Sequence, residues 1–161
     1  MFKWSELKCD HRLFQTNPAR VFRYLLFVAC ALVILLVTLN RRLFLLAPPY
    51  DVTAYLMIFE RGVKFSRPTS VIVSYLVVIS VTALLQFTLG QSELSLTASV
   101  LLVSAFISFT RFSHPPAIAL AIFSYFANDV TGFVITTLIV LAIVLGFAAA
   151  ARVALPNSQS A

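Results

Sequence analysis

Apolar residues in this chain fall into long unbroken runs, not the short alternation of a soluble fold. Four runs cover residues 21–39, 68–89, 94–109 and 130–151. Each approaches the ~20 residues that a helix needs to span a ~30 Å hydrocarbon layer, the third being the shortest. Between them lie two shorter apolar segments, each carrying a Pro-Pro pair near its start: APPYDVTAYLMIF at 47–59 and SHPPAIALAIFSYF at 113–126. Proline suits the first turn of a helix and breaks the hydrogen-bond ladder anywhere later. In a membrane such breaks are tolerated only where protein or a water-filled cavity covers the backbone, and paired breaks in two halves point to a transport site. The pattern predicts an all-α polytopic transmembrane bundle of four long helices and two short, proline-initiated ones.

Charge placement decides how the short segments run, because Lys and Arg favour the cytoplasmic side. With six passes and the N-terminus inside, Lys3, Lys8, Arg12, Arg20, Arg23, Arg61, Lys64, Arg67, Arg111 and Arg152 lie inside, and Arg41 and Arg42 outside. That is ten against two; four passes, with the short segments re-entrant, give six against six. Six passes fit better. Three passes per half then turn the second half upside down, so residues 21–90 and 93–153 are expected to form an inverted repeat within one transmembrane domain at 21–153. The expected location is the cell membrane, with the N-terminus cytoplasmic.

Composition agrees with that reading. The 161 residues are 60% hydrophobic and 11% charged, with mean hydropathy +0.96; a soluble domain carries about 25% charge. The net charge of +6 is dispersed over loops rather than gathered in blocks, so no nucleic-acid partner is expected. Residues 1–20 read as a basic, partly amphipathic lead-in, interfacial or simply solvated, and 154–161 as a polar tail. Cys9 and Cys30 make an awkward pair for a disulfide. His11 and His114 lack supporting ligand spacing, so neither a metal nor a cofactor is expected. No nucleophile–base pair or phosphate loop suggests an enzyme.

Small residues four apart let membrane helices approach closely. Ser70 and Ser74, Ser95 and Ser99, Ser104 and Ser108, Gly132 and Thr136, and Ala142, Gly146 and Ala150 all have this spacing. Packing is the expectation for each.

The stretch FTRFSHPPAIALAIF resembles the HPP family of integral membrane proteins, named for the triplet seen here as His114-Pro115-Pro116. The resemblance runs from about Phe44 to Arg152 and includes Pro68 and Val71 of a second motif. It implies a transmembrane domain, usually described as four helices, and nitrite transport in characterised members. The chain departs from the family pattern where glycines accompany each short segment: it has Tyr50-Asp51-Val52-Thr53-Ala54 and Ala117-Ile118-Ala119. Val73-Ser74-Tyr75 stands where the family has Gly-Gly-His, and Thr69 where an arginine follows Pro68.

An anion at mid-membrane loses several kcal/mol of solvation, whereas a helix N-terminus returns only about 0.3–2 kcal/mol. Further donors are therefore required. The opening amides of the short helices, at Tyr50, Asp51, Ala117 and Ile118, together with Thr53, Ser113 and His114, are the candidate substrate contacts. Asp51 repels an anion and reads instead as a helix-start charge or a proton carrier. His114 also reads as a cap of the short helix, and Arg67 and Arg111 as topology anchors or anion attractors. Tyr50, Tyr55, Phe59, Tyr75 and Phe126 read as packing or interface residues. Two functions follow: a transporter of a small anion such as nitrite, or a non-catalytic accessory subunit of a larger membrane complex. Either way the lipid bilayer is a partner, and a homo-oligomer or membrane-complex partner is expected for so thin a bundle.

Overall fold

The computed structural model describes residues 18–127 and 129–154, with Phe44 described by its backbone alone. The lead-in up to residue 17 and the tail from residue 155 lie outside the described residues. Among those described, regular structure is entirely helical: α1 (Pro18–Asn40), α2 (Ala47–Phe59), α3 (Pro68–Leu89), α4 (Glu93–Phe109), α5 (Pro116–Phe123) and α6 (Val130–Ala154), with single 3-10 turns at Phe44–Leu46, Lys64–Ser66 and Ser124–Phe126.

Helix boundaries follow local chemistry. Prolines sit in the opening turns of α2, α3 and α5, where no amide donor is missed. Ser92 caps α4, its Oγ accepting from the Ser95 amide at 3.2 Å. At the end of α1, Leu43 N–H donates to Thr38 O at 2.7 Å and Arg42 N–H to Leu39 O at 2.9 Å, with Arg42 at φ 58°. This is the Schellman closure, with arginine in the position that glycine usually takes. Gly90, at φ 69°, ends α3 in a conformation that needs glycine.

Three helices, α1, α3 and α6, are long and apolar enough to cross a membrane. The fourth expected long helix, α4, is apolar but shorter, its 17 residues covering ~25 Å. The second Pro-Pro segment divides into the eight-residue α5 and the 3-10 turn after it.

The principal packed pairs are α1–α2, α1–α6, α2–α5, α2–α6, α3–α4, α3–α5, α3–α6 and α4–α5. Exchanging α1 with α4, α2 with α5 and α3 with α6 returns the same set. At one end of the bundle Arg61, after α2, donates to Ala151 O near the end of α6 at 2.5 Å and shares a pocket with Arg67 and Pro68 at the start of α3. At the other end, Leu43 and Leu46 ahead of α2 adjoin Phe123, the last residue of α5, and Phe126 and Ala127 beyond it, and Gln91 Nε2 donates to Ala127 O at 3.1 Å. α2 and α5 therefore run antiparallel to each other, between the same two ends.

Several polar residues inside the apolar runs are satisfied locally, although the buried Thr136 hydroxyl has no partner. Thr38, Thr82 and Thr137 each donate back to a carbonyl four residues earlier, at 3.0, 2.6 and 2.7 Å. Ser70, Ser74, Ser95 and Ser99 are buried, as their spacing predicted. Ala142, Gly146 and Ala150 are exposed, and a Cβ added at Gly146 would meet nothing within 4 Å. Their expected packing within the chain is corrected: the buried stripe of α6 instead runs through Phe133, Thr137, Val140 and Val144.

Tyr125, in the turn after α5, fastens that turn to α4, its OH sharing hydrogen bonds with Ser95 Oγ at 2.6 Å and Ser99 Oγ at 2.7 Å. Tyr125→Phe removes both and is expected to lower stability by about 1 kcal/mol, read by thermal unfolding in detergent. Unchanged unfolding would show that this junction adds nothing.

Candidate functional site

The two Pro-Pro segments lie side by side. A cavity of about 430 Å³ is lined by Pro48, Pro49, Val52 and Leu56 of α2, by Pro115, Pro116, Ala119 and Phe123 at α5, and by Phe65. Every one of these residues is apolar. Because the helices are antiparallel, their opening turns lie toward opposite ends of the bundle rather than facing each other. The α5 amides are also engaged: Ala117 N–H donates to His114 O and Ile118 N–H to Pro115 O, both at 3.0 Å.

The polar chemistry lies behind that cavity, in the buried core. Thr53 is in the second turn of α2, so that its hydroxyl is 2.9 Å from Pro49 O, one turn earlier. From the same oxygen, Tyr75 OH of α3 lies at 2.7 Å and His114 Nε2 at 2.9 Å. His114 Nδ1 lies 2.8 Å from the carbonyl of Phe65, in the turn between α2 and α3. Thr53, Tyr75 and His114 are each at most 1% exposed.

The direction of this chain follows from its ends. A carbonyl only accepts, so His114 Nδ1 carries hydrogen. In the neutral ring Nε2 is then an acceptor, Thr53 donates to it, and Tyr75 donates to Thr53. In the doubly protonated ring Nε2–H donates to Thr53, whose own hydrogen turns to Pro49 O. The Thr53 hydroxyl thus has two alternative acceptors within 3 Å. A second, shorter link lies beside this one: Tyr50 OH is 2.7 Å from Thr137 Oγ1 of α6, and the Tyr50 and Tyr75 rings are 6.1 Å apart. The Tyr75 ring also lies 5.8 Å from that of His114. Ser74 fixes the segment leading into α5, donating to Phe112 O at 2.6 Å.

Of the residues singled out in the sequence, the structure brings Thr53 and His114 into contact and places Tyr50 next to them through Tyr75. Asp51 projects toward α1, within electrostatic reach of Cys30, and its Oδ1 is buried without a hydrogen-bond partner. Ser113 is buried beside His114 in the chain. Arg67 borders the basic pocket at the bundle end, and Arg111 is exposed after α4. Tyr75, Thr137 and the Phe65 carbonyl were missed as members of the polar chain. The sequence pattern of Tyr75 suggests packing, but its position within an apolar run offers one signal: a phenol in such a run needs a partner for its hydroxyl.

Removing the shared oxygen should cost more than removing a peripheral one. Thr53→Val strips partners from both Tyr75 and His114 and is expected to destabilise by about 2 kcal/mol. Tyr50→Phe leaves Thr137 its bond to Phe133 O and should cost under about 1 kcal/mol. Denaturant titration in micelles compares them, and equal losses would contradict a central role for Thr53. Among known proteins, no curated protein and no solved structure matches the chain. The family model described as HPP, transmembrane region, matches residues 15–159, so the chain belongs to the HPP family of integral membrane proteins.

Proposed function

We propose that this protein carries a small monovalent anion, such as nitrite, across the membrane, with the Thr53 junction as its receiving point. One observation carries the reading: two groups from different elements, Tyr75 OH and His114 Nε2, converge on one buried oxygen at 2.7 and 2.9 Å. An anion oxygen in that place would accept from both once the His114 ring carries two protons. Two charge-assisted hydrogen bonds supply about 3–6 kcal/mol, comparable with the several kcal/mol lost on desolvating the ion. Binding of that strength is weak enough to permit release. Proton uptake by His114 would couple anion entry to a proton, and Asp51, with its unpartnered oxygen, is the second candidate carrier. Tyr50, Ser113, Ala117 and Ile118 line the approach in this reading, and Arg67 and Arg111 draw anions to one end.

The proposed architecture is six passes with the N-terminus cytoplasmic in the cell membrane, built as an inverted repeat of 21–90 and 93–153. Two observations support the repeat: the exchange of packed pairs, and matched burial in the two halves. Pro49, Tyr50, Thr53 and Ala54 are buried in α2, and Pro116, Ala117, Leu120 and Ala121 in the same order in α5. Ser74, Tyr75 and Val78 of α3 pair similarly with Thr136, Thr137 and Val140 of α6.

The apolar cavity between α2 and α5 favours a second reading. Its exposed Pro48, Val52 and Phe65 would suit side chains of a neighbouring membrane protein or another copy of this chain, as in a non-transporting accessory subunit.

Flux in proteoliposomes separates the two. The transport reading expects nitrite uptake by the wild type, reduced about tenfold or more in His114→Ala and unchanged in Phe126→Ala; each tenfold is 1.36 kcal/mol of barrier. A wild type that moves no anion sinks it. For topology, single cysteines at Gly62 and Arg111 should label from one side of sealed vesicles and a cysteine at Arg41 from the other. Labelling of all three from the same side would exclude six passes.

A further inference from the structure

The bundle end opposite Gln91 gathers positive charge from separate parts of the chain. A pocket of about 400 Å³ is lined by Arg61, Arg67, Pro68 and Arg152. Arg61 donates through Nη2 to Ala151 O at 2.5 Å and through Nε to Ile58 O at 3.3 Å. It thereby ties the C-terminal ends of α6 and α2 together, where a cation meets the negative end of each helix. Arg67 immediately precedes α3, whose first-turn amides lack intrahelical partners. From α1, Arg23 lies within electrostatic reach of Arg61, and its Nε is buried with no hydrogen-bond partner. Burial first, and then Arg23 and Arg152, lower the affinity of Arg61 for its proton.

Guanidiniums at such close quarters repel one another. Helix-end carbonyls answer part of the charge on Arg61. Glu60 is the nearest acid along the chain and is exposed, and no ion pair joins Arg23, Arg67 or Arg152 to a carboxylate among the described residues. Guanidinium forks at a helix start are suited to a tetrahedral oxyanion, whose oxygens accept from several donors at once.

We propose that this basic pocket binds a phosphate group, supplied by an anionic phospholipid at the membrane surface or by soluble phosphate. Its position at the C-terminal ends of α2 and α6 and the start of α3 places it where headgroups lie, and basic pockets between membrane helices take anionic headgroups in this way. The inference goes beyond anion transport and does not rest on it: a chain that moves no nitrite would still bind here.

The test uses the full chain in phosphatidylcholine nanodiscs, with fluorescent phosphatidylglycerol or phosphatidylcholine as probe and inorganic phosphate as competitor. Preferential retention of phosphatidylglycerol is expected, weakened about tenfold or more in the double variant Arg67→Gln/Arg152→Gln. Arg41→Gln/Arg42→Gln, at the other end, removes the same charge and should leave retention unchanged. Displacement by millimolar phosphate would identify a soluble phosphate as a competent ligand, and resistance to it the lipid; both support the pocket. Equal retention of the two lipids together with no thermal shift in phosphate overturns it, as does equal loss in the two double variants. If Arg67→Gln/Arg152→Gln fails to fold, the wild-type lipid preference and phosphate shift decide alone.

Discussion

The interior of this bundle depends on a single hydroxyl. Thr53 Oγ1 is within hydrogen-bond distance of Pro49 O, Tyr75 OH and His114 Nε2, and so joins α2, α3 and the lead-in to α5 at one atom. A lipid interior supplies no water to satisfy any of these groups, so each must find its partner within the protein. His114 then extends the connection to the Phe65 carbonyl, pinning the α2–α3 turn onto the same point. α5, with eight residues, is too short to be stable by itself.

The two ends of the bundle are stabilised by different means. At the Gln91 end, neutral amides carry the contacts: Gln91 Nε2 donates to Ala127 O at 3.1 Å, and Gln86 Nε2 to Ser124 Oγ at 3.3 Å. At the other end Arg61 reaches two helix C-termini at once. A lysine there would keep the charge but lose the planar fork that allows two carbonyls to be reached together. The local conflict between charges is tolerable because that end meets water and headgroups rather than hydrocarbon, where the same cluster would be prohibitively costly.

Much of the architecture was legible in the chain because hydropathy and proline act locally. The bounds of α2 and α3 coincide with the predicted segments, since a proline pair and a Pro68 start leave little freedom in where a helix begins. The side chains that meet in the core were less legible. His114 stood out by its motif and Thr53 by its place after Pro-Pro, but their meeting depends on α2 and α5 being antiparallel, which no local pattern specifies. Tyr75 looked like packing because an apolar run hides which of its faces is buried. The exposed stripe of Ala142, Gly146 and Ala150 failed for the same reason: small-residue spacing shows that a close approach is permitted, not which partner makes it.

The two short helices also show how similar packing can carry dissimilar chemistry. Pro49 and Pro116 open the buried faces of α2 and α5, and Ala54 and Ala121 occupy matched buried positions beyond them. Between these, α2 buries Tyr50 and Thr53 where α5 buries Ala117 and Leu120. A polar residue at Leu120 would have needed its own partner on α6, but the matching α6 position for Tyr75 is Thr137, which Tyr50 and the Phe133 carbonyl already engage. The first short helix therefore satisfies polar groups on both long partners, while the second contributes mainly apolar surface and, from just ahead of its start, the imidazole of His114. The polar ties of α2 therefore lie along the helix itself, whereas those of α5 sit on its flanks, at Phe112 and His114 before it and at Ser124, Tyr125 and Ala127 after it.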